Sequence, residues 1–382
     1  IFNSIIAPVS PLRKMHFSMG YYRLSGGLFN DYRGPVLDYH VQSFKLSIGN
    51  IGITSVPLYT NEAIAGFIPK DNYTFDEHFL YYALHKINYI ENIDIAVKGK
   101  TLNKKKLNEL EISLPPIKEQ QKIAAILSSV DEAIEKTEQI IEQTEKVKKG
   151  LMQQLLTKGI GHIEFKKSAI GEIPKNWEVG MLEDYTVTKP EYGASASAVE
   201  FSESLPRYIR ITDITNEGTL NEADPKSIQI ESNEKYLLEE GDILFARTGN
   251  TVGKTYLYTA NDGQAIYAGY LIRFKLNSKL LLPRYLFHLT HSGYYYNWVK
   301  SMLRTGAQPN INAKEYSSLL VTVPPIEEQK EIVSILDSFI EKIKTEKEKL
   351  SKLTNLKHGL MQQLLTGKVR VPIDDEEGVK ET

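Results

Sequence analysis

The stretch GLMQQLLT occurs twice in the chain, at Gly150–Thr157 and again at Gly359–Thr366, 209 positions later. When the chain is aligned with itself at this offset, Leu114–Thr157 matches Val323–Thr366 without a gap, and 20 of the 44 aligned positions are identical. Identity of this extent over one continuous segment indicates an internal duplication. The chain therefore contains two copies of one structural element.

Each copy is predicted to form one long helix that begins at a pair of prolines. The copies open with LPPIKEQ at Leu114–Gln120 and VPPIEEQ at Val323–Gln329. Proline is tolerated in the first turn of a helix but not in its interior, and it keeps the preceding residue extended. Small breakers follow both copies, in TKGIGH at Thr157–His162 and TGKVRV at Thr366–Val371. Both helices are expected to stop there.

Apolar and small side chains recur at alternating spacings of three and four along both copies, which is the pattern of a coiled-coil seam. In the first copy the seam is Leu127, Val130, Ile134, Thr137, Ile141, Thr144, Leu151 and Leu155, and in the second it is Leu336, Phe339, Ile343, Leu350, Leu353, Leu360 and Leu364. We expect the two helices to pair in antiparallel orientation, which relates the halves of the chain by an approximate two-fold axis. The alternative is that each helix only closes the core of its own domain.

The repeat divides the 382-residue chain into five parts, and this length favours more than one hydrophobic core. The predicted parts are a first globular domain at 1–113, expected to be incomplete at its N-terminal side, a long helix at 114–160, a second globular domain at 161–322, a second long helix at 323–366 and a C-terminal tail at 367–382. Short β-rich runs such as RYIRIT (Arg207–Thr212) alternate with helical stretches such as DEHFLYYALHKI (Asp76–Ile87),. The predicted fold class is mixed α/β (α+β), with two globular domains separated by a pair of long antiparallel coiled-coil helices.

Composition and charge narrow the possible functions. The chain has no cysteine and no apolar run of the length that spans a bilayer, so we expect a cytoplasmic protein without disulfides, thiolate metal sites or a membrane partner. Lys and Arg number 12 against 10 Asp and Glu in residues 1–112, and 15 against 18 in residues 168–322. Neither globular segment is strongly basic, and because phosphate neutralisation drives affinity for nucleic acid, we expect the isolated chain to bind it weakly.

One stretch resembles a catalytic motif but does not match it. GNTVGKT at Gly249–Thr255 resembles a phosphate-binding P-loop, but only three residues separate its glycines where the motif requires four, and the β-rich TYLYT follows where a helix should begin,. A nucleotide hydrolase is therefore a weak alternative. An amino-methyltransferase needs Asn or Asp before its Pro-Pro pair, whereas Leu114 and Val323 occupy that position here. No catalytic residue and no metal site are predicted.

Five motifs occur in an order that resembles the specificity subunit of type I restriction-modification systems. They are IGEIPKNWEVGMLEDY (Ile170–Tyr185), YIRITDI (Tyr208–Ile214), GDILFARTGNTVGK (Gly241–Lys254), VPPIEEQKEIVSIL (Val323–Leu336) and GLMQQLLTGKV (Gly359–Val369). The resemblance spans nearly the whole chain, although the first half lacks an opening of the IGEIPxxWE type.

The resemblance implies a non-catalytic DNA-sequence reader. Its two target-recognition domains would each read one half of a split, asymmetric sequence in double-stranded DNA. The paired helices would set the distance between the halves and dock two methyltransferase subunits and, through them, restriction subunits. S-adenosylmethionine, Mg²⁺ and ATP would belong to these partners, and this chain would hold no cofactor. A coiled-coil scaffold whose globular domains bind protein is the second interpretation.

The candidate DNA contacts are polar side chains beside glycines, because Arg pairs with guanine and Asn or Gln with adenine. They are Lys45, Asn50, Lys98, Lys100 and Asn103 in the first domain and Arg207, Arg210, Arg247, Thr248, Asn250, Lys254, Arg304, Gln308 and Asn310 in the second. An Arg beside a turn is also common as a solvated or capping side chain. The candidate docking residues for the methyltransferase are apolar residues of the octapeptide, namely Leu151, Met152, Leu155, Leu360, Met361 and Leu364.

Overall fold

The computed structural model describes residues 39–42, 51–53, 64–67, 75–87, 94–96, 99–101, 112–230, 234–303 and 308–373. The helices are α1 (Glu77–His85), α2 (Ile117–Lys158), α3 (Pro283–Leu289), α4 (Gly293–Met302), α5 (Ala313–Ser317) and α6 (Ile326–Leu364). No helix in these ranges is long and apolar enough to cross a lipid bilayer. The chain divides into two compact units, unit 1 with Ile1–Ile140 and Glu346–Thr382 and unit 2 with Ile141–Thr345. Each unit thus contains part of both long helices.

Each long helix begins after a proline pair and ends before a glycine. Helix α2 starts directly after Pro115–Pro116 and α6 directly after Pro324–Pro325. Gly159 follows the end of α2 with φ 65°, and Gly367 lies just beyond α6 with φ 69°. Glycine adopts this left-handed conformation without the steric cost that other residues meet, so it ends the helix.

Within unit 1, the first half of α2 lies against the last turns of α6. The Glu119 carboxylate accepts hydrogen bonds from Arg370 Nη2 at 2.6 Å and from the backbone N–H of Val371 at 3.2 Å. Further along, Asp131 Oδ1 lies 2.6 Å from Lys357 Nζ. Residue numbers rise along α2 while those of its partners on α6 and in the segment after α6 fall, so the two helices are antiparallel.

The core of unit 1 is made by α1, the start of α2 and the end of α6. Its main buried side chains are Phe79, Leu80, Leu84, Ile123, Leu127, Leu364 and Leu365. The described strands of this unit are β1 (Tyr39–Gln42), β2 (Ile51–Ile53), β3 (Ile64–Phe67), β4 (Asp94–Ala96) and β5 (Gly99–Thr101). Strand β1 pairs with both β2 and β3, and β4 pairs with β5, in each case antiparallel.

Unit 2 holds the remaining strands around a larger core. They are β6 (Phe165–Ser168), β7 (Gly171–Pro174), β8 (Glu178–Met181), β9 (Glu191–Tyr192), β10 (Val199–Glu200), β11 (Arg207–Ile209), β12 (Lys226–Ser227), β13 (Ile243–Ala246), β14 (Thr255–Leu257), β15 (Ala265–Tyr267), β16 (Leu271–Phe274) and β17 (Leu320–Val323). One sheet has the order β10-β12-β11-β15 and another β14-β13-β16-β9, and β17-β8 and β6-β7 form two-stranded ribbons. Strand β13 reads ILFA and is buried at every position, as expected for a strand covered on both faces.

The glutamate of the PPIxEQ motif has the same role in unit 2 as Glu119 has in unit 1. Glu328 Oε1 accepts from the backbone N–H of Ile160 at 3.1 Å and lies 2.7 Å from His162 Nε2, and its Oε2 accepts from Trp177 Nε1 at 2.9 Å. A Cβ on Gly159 would lie 2.4 Å from Glu328 Oε1 and 2.7 Å from the Trp177 ring. The glycine that ends α2 is therefore also needed for this close approach.

The neighbouring glutamine ties each long helix to a short helix of the adjoining domain. Gln120 Oε1 accepts from the N–H of Asp76, the N-cap of α1, at 3.0 Å. In the second copy, Gln329 Oε1 accepts from the N–H of Leu282, the N-cap of α3, at 2.8 Å. The duplicated sequence thus makes the same contact twice. In each copy the glutamine side chain accepts from a backbone N–H at a helix start, where N–H groups have no intrahelical partner,.

The predicted seam is largely buried. The buried seam residues are Leu127, Val130, Thr137, Ile141, Thr144 and Leu155 in α2 and Leu336, Ile343 and Leu364 in α6. The mixed α+β class, the internal repeat and the antiparallel pairing of the long helices are therefore confirmed. The boundaries drawn from the sequence for the two globular domains stay predictions.

We expect replacement of Glu328 by alanine to destabilise unit 2 by about 2–4 kcal/mol, because it leaves the buried N–H groups of Trp177 and Ile160 without an acceptor. Trp177 and Trp298 are the two tryptophans of the chain and both belong to unit 2, so urea unfolding followed by tryptophan fluorescence reports on this unit. Glu327→Ala is the control, since Glu327 is 76% exposed and pairs with Lys330 at the surface. Equal unfolding midpoints for the two variants would contradict this role of Glu328.

Candidate nucleic-acid interface

Two loops of unit 2, separated by about fifty residues in sequence, lie side by side. Thr248 and Asn310 form an antiparallel backbone bridge. Gly249 donates its N–H to Pro309 O at 3.0 Å, and Ile311 donates to Arg247 O at 2.8 Å. Residues 247–254 and 308–312 are called the loop pair below.

Two buried tyrosines are hydrogen-bonded to the backbone at both ends of the first loop, residues 247–254. The Tyr316 hydroxyl donates to Ala246 O at 2.8 Å and accepts from the Gly253 N–H at 3.1 Å, while the Tyr295 hydroxyl donates to Gly253 O at 2.8 Å. Burial raises the pKa of both phenols, so they stay protonated and can donate at neutral pH. Gly253 has φ 87°, and a Cβ there would lie 2.8 Å from the Val299 side chain. The loop is therefore fixed at its base.

Six of the candidate residues lie on the loop pair, namely Arg247, Thr248, Asn250, Lys254, Gln308 and Asn310. Asn250, Gln308 and Asn310 are exposed, and Arg247 and Thr248 are half-buried. Arg247 Nε donates to Asn310 Oδ1 at 3.4 Å, a long hydrogen bond. Amide and guanidinium groups at the surface of one site can donate to and accept from the edges of bases.

Two tyrosines beside Arg247 complete the surface and are not among the sequence candidates. Tyr192 lies on β9, with its ring centroid 4.8 Å from Arg247 Cζ, and is 40% exposed. Tyr270 is 61% exposed, and its carbonyl accepts from the Arg247 N–H at 3.0 Å. Tyr270 stands beside Gly269 in a turn, a local signal that sequence analysis could have used. Tyr192 reaches Arg247 through the pairing of β9 with β16, which has no local signal.

Arg207 and Arg210 lie elsewhere and are bound within the chain. Arg207 Nη1 donates to both carboxylate oxygens of Glu222, at 2.8 and 2.9 Å. Arg210 Nη2 donates to Asp213 Oδ1 at 2.7 Å, and the side-chain hydrogen bond to Asp213 raises the pKa of Arg210 further. Both guanidinium groups stabilise turns of unit 2 in this structure. Their contact with DNA stays a prediction.

The P-loop-like stretch forms a strand, a turn and a second strand. After β13 the chain makes a short 3-10 turn at Gly249–Thr251 and then enters β14, which pairs antiparallel with β13. Lys254 Nζ donates to Ile214 O at 2.9 Å, so this amine supports the fold. A phosphate cradle needs a helix N-terminus after the glycine loop, and a strand occupies that place. Within the described ranges, no group of three or more His, Asp and Glu side chains is arranged to hold a metal ion.

The remaining candidates for DNA contact cannot be placed in a site. Lys45, Asn50, Lys98, Asn103 and Arg304 lie outside the described residues. The backbone of Lys100 lies in β5, in register with Ile95 of β4. These six stay predictions.

The apolar residues of the octapeptide face the cores of the two units. Leu155 is 6% exposed in the core of unit 2, and Leu364 is 6% exposed in the core of unit 1. The other four candidates for docking, Leu151, Met152, Leu360 and Met361, are partly buried and pack against the same two cores. The exposed glutamines of the repeat are Gln153, Gln154, Gln362 and Gln363. The exposed surface of the octapeptide therefore consists mainly of its polar residues.

The chain is similar to proteins that determine DNA specificity. Residues 29–146 and 174–355 match the model of the type I restriction modification DNA specificity domain. The type I restriction enzyme MjaVIII specificity subunit of Methanocaldococcus jannaschii is 31% identical over 338 residues, which cover 86% of this chain and 76% of that protein. A putative type I restriction enzyme MjaX specificity subunit of the same organism is 30% identical over 312 residues, covering 76% of this chain and 68% of that protein.

A solved structure has the same fold. It is the S subunit of a type I restriction-modification system from M. genitalium, with a TM-score of 0.58 and 17% sequence identity, and the match covers 93% of this chain and 91% of that one. At this level of identity the likeness concerns the fold alone.

We expect Tyr316→Phe to loosen the first loop, because it removes a buried hydroxyl that serves both Ala246 O and the Gly253 N–H. The expected loss is about 1–3 kcal/mol of unit 2 stability. We also expect faster hydrogen exchange of the Gly253 amide, which then keeps only its bond to Ala246 O at 3.0 Å. Tyr296→Phe is the control, since Tyr296 is 49% exposed. Unchanged exchange at Gly253 in the Tyr316 variant would show that the loop is held by other contacts.

Proposed function

The chain belongs to the family of type I restriction-modification DNA specificity proteins, and we propose that it selects a split, asymmetric target in double-stranded DNA for partner subunits that carry out the chemistry. The proposal depends on one observation. The family model matches twice, at residues 29–146 and 174–355, and the duplicated helices carry two globular segments whose sequences differ. Two unlike readers on one repeated frame fit two unlike half-sites.

The chemistry of the loop pair supports DNA as the ligand of the second reader. It presents Arg247, Asn250, Gln308 and Asn310 around a loop whose base is fixed by buried tyrosines. Side chains of these types distinguish bases by their donor and acceptor patterns in the major groove. The excess of acidic over basic residues in 168–322, 18 against 15, fits a reader that gains part of its affinity from cations on its partners.

In this proposal the chain has no catalytic role of its own. Methyltransferase subunits would supply S-adenosylmethionine chemistry, and restriction subunits would supply the reactions that need Mg²⁺ and ATP. The strand that follows the P-loop-like stretch and the apolar residues Leu114 and Val323 before the proline pairs support this division of labour.

We expect a genome-wide map of methylated adenine to lose one split motif when the gene is deleted, and to regain it when the gene is restored. Replacing residues 161–322 with the matching segment of a relative should change one half of the motif and leave the other half unchanged. If deletion changes no motif although the methyltransferase is expressed, the proposal fails. Partner proteins that co-purify without any DNA preference would then favour a protein-binding scaffold.

We further propose that the exposed face of each octapeptide docks one methyltransferase subunit. Gly150, Gln153, Gln154 and Thr157 follow the spacing of one helix face, and Gly359, Gln362, Gln363 and Thr366 repeat it. Glycine inside a helix costs about 0.5–1 kcal/mol relative to alanine. A Cβ at Gly150 or Gly359 would meet nothing within 4 Å, so packing within the described residues requires neither glycine. Close approach by a partner would explain both.

We expect Gly150→Gln together with Gly359→Gln to prevent co-purification of the methyltransferase while the stability of the chain is kept or slightly increased, since glutamine favours helix. Each single variant should lose one of the two bound subunits, which native mass spectrometry can count. The control is Gln121→Ala, at an exposed position of α2 outside the octapeptide. Full occupancy in the double variant would exclude this face as the docking surface. Leu155→Ala is unsuitable as a test because it would remove a core side chain and cost about 2–5 kcal/mol.

A further inference from the structure

We propose that Arg247, held by Tyr192 and Asn310, reads one guanine through its O6 and N7 atoms. The inference rests on the proposed function, because it assumes that the domain containing the loop pair reads one half of a DNA target. It adds the identity of one base in that half-site and the atoms that recognise it.

Arg247 differs from the other arginines of unit 2. Arg207, Arg210, Arg273 and Arg284 each have a carboxylate partner in the same unit. Arg247 is the one described arginine of unit 2 for which no carboxylate partner is found among the described residues. The segment 168–322 contains 18 acidic residues against 15 basic ones, so an arginine without an acid is unusual there. Its charge is available to an acceptor from outside the chain.

The neighbours of Arg247 fix the direction of its guanidinium group. The Tyr192 ring centroid lies 4.8 Å from Cζ, a cation–π contact that covers one face of the group. Nε is engaged with Asn310 Oδ1 at 3.4 Å. The backbone is held on both sides, with the N–H donating to Tyr270 O at 3.0 Å and the carbonyl accepting from Ile311 at 2.8 Å.

This arrangement leaves the terminal edge of the guanidinium group, with Nη1 and Nη2, for a ligand. No bond from either nitrogen to another described residue is found. Two parallel N–H donors on a rigid fork suit a partner with two acceptors side by side. Guanine presents such a pair, O6 and N7, in the major groove, whereas adenine, cytosine and thymine do not.

A phosphate group also offers paired acceptors, but the surroundings favour a base. Sites that bind the DNA backbone usually contain several Lys or Arg side chains, because each side chain that neutralises a phosphate releases counterions. Besides Tyr192 and Tyr270, the exposed neighbours in the described part of the loop pair are the amides of Asn250, Gln308 and Asn310. The Lys254 amine is bonded to a backbone carbonyl. Among the described residues of the loop pair, one guanidinium group thus lies among amides, which is the composition of a base-reading site,.

The first experiment uses the wild-type chain in complex with its methyltransferase subunits and a duplex that carries the mapped target. Each guanine of the half-site read by the second domain is replaced in turn by 7-deazaguanine, which lacks the N7 acceptor, or by inosine, which keeps N7 and O6. At one guanine we expect 7-deazaguanine to weaken binding about 10- to 100-fold and inosine to have little effect. The result does not depend on the folding of any variant.

The second experiment assigns that guanine to Arg247. Arg247→Lys replaces the fork by one ammonium group, and we expect the methylated motif to become degenerate at that one position. Tyr192→Phe keeps the ring and should keep the motif, whereas Tyr192→Leu should relax the same position, since Tyr192 acts by positioning Arg247. Arg284→Lys is the matched control, because Arg284 pairs with Asp337 at 2.9 Å and contacts no part of the loop pair in this structure.

Three results would overturn the inference. The half-site could contain no guanine that is sensitive to the loss of N7. The Arg247 variant could keep the full motif, with methylation reduced equally at all sites, which is the behaviour of a phosphate contact. The degenerate position could differ between the Arg247→Lys and Tyr192→Leu variants. A wild-type complex that methylates no split motif would instead refute the proposed function, and the inference with it.

Discussion

A carboxylate at the start of each long helix bonds to the segment that follows the other long helix, and the arrangement of both units depends on this contact. Glu119 accepts from Arg370 and Val371 in unit 1, and Glu328 accepts from Ile160 and Trp177 in unit 2. A long helix exposes the backbone N–H groups of its first turn and the carbonyls of its last turn, and an amphipathic helix also needs a partner for its apolar face. In each unit the carboxylate bonds the segment that follows one long helix to the start of the other long helix. The proline pair sets where the helix begins. The glutamate bonds to the segment that follows the other long helix, and the glutamine bonds to a short helix of the adjoining domain.

The two long helices, α2 and α6, bond to their adjoining domains through different side chains at corresponding positions. Tyr82 on α1 bonds to Ser128 at 3.2 Å and to Asp131 at 2.8 Å. At the corresponding place in unit 2, His288 on α3 lies 2.8 Å from Asp337, which is 209 positions after Ser128. Burial lowers the pKa of His288, so the ring is neutral and donates Nε2–H to the carboxylate. Burial alone raises the pKa of Asp337, but its hydrogen bonds with His288 and Arg284 outweigh burial and lower it. In both units a short helix is thus hydrogen-bonded to a long helix, but through different side chains. This explains how two unlike domains can be attached to the same pair of long helices.

The elements that follow from local rules could be predicted, and those that depend on distant pairing could not. Proline pairs, glycine stops and the spacing of apolar residues located α2 and α6 to within a few residues, because each of these signals acts within one or two turns. The contact of Tyr192 with Arg247 depends on β9 pairing with β16, and the loop pair depends on the bridge between Thr248 and Asn310. No local spacing encodes either one. The burial of Leu155 and Leu364 was hidden for a different reason, since a repeated apolar residue fits a docking surface and a core equally well.

In the proposed function, the long helices with their partners and the globular domains contribute differently to DNA binding: the first mainly to affinity, the second mainly to specificity. Contacts with phosphates supply affinity that is independent of sequence, whereas a bidentate contact with a base edge supplies discrimination of about 1–3 kcal/mol. A domain with more acids than bases supplies little of the first kind, which is why we propose that cationic partners contribute to DNA binding. In this arrangement the few base contacts of the domain can change while the binding energy from phosphate contacts is kept. Repeated helices, which we propose hold identical partners, combined with globular segments whose sequences differ, are the arrangement that this separation requires.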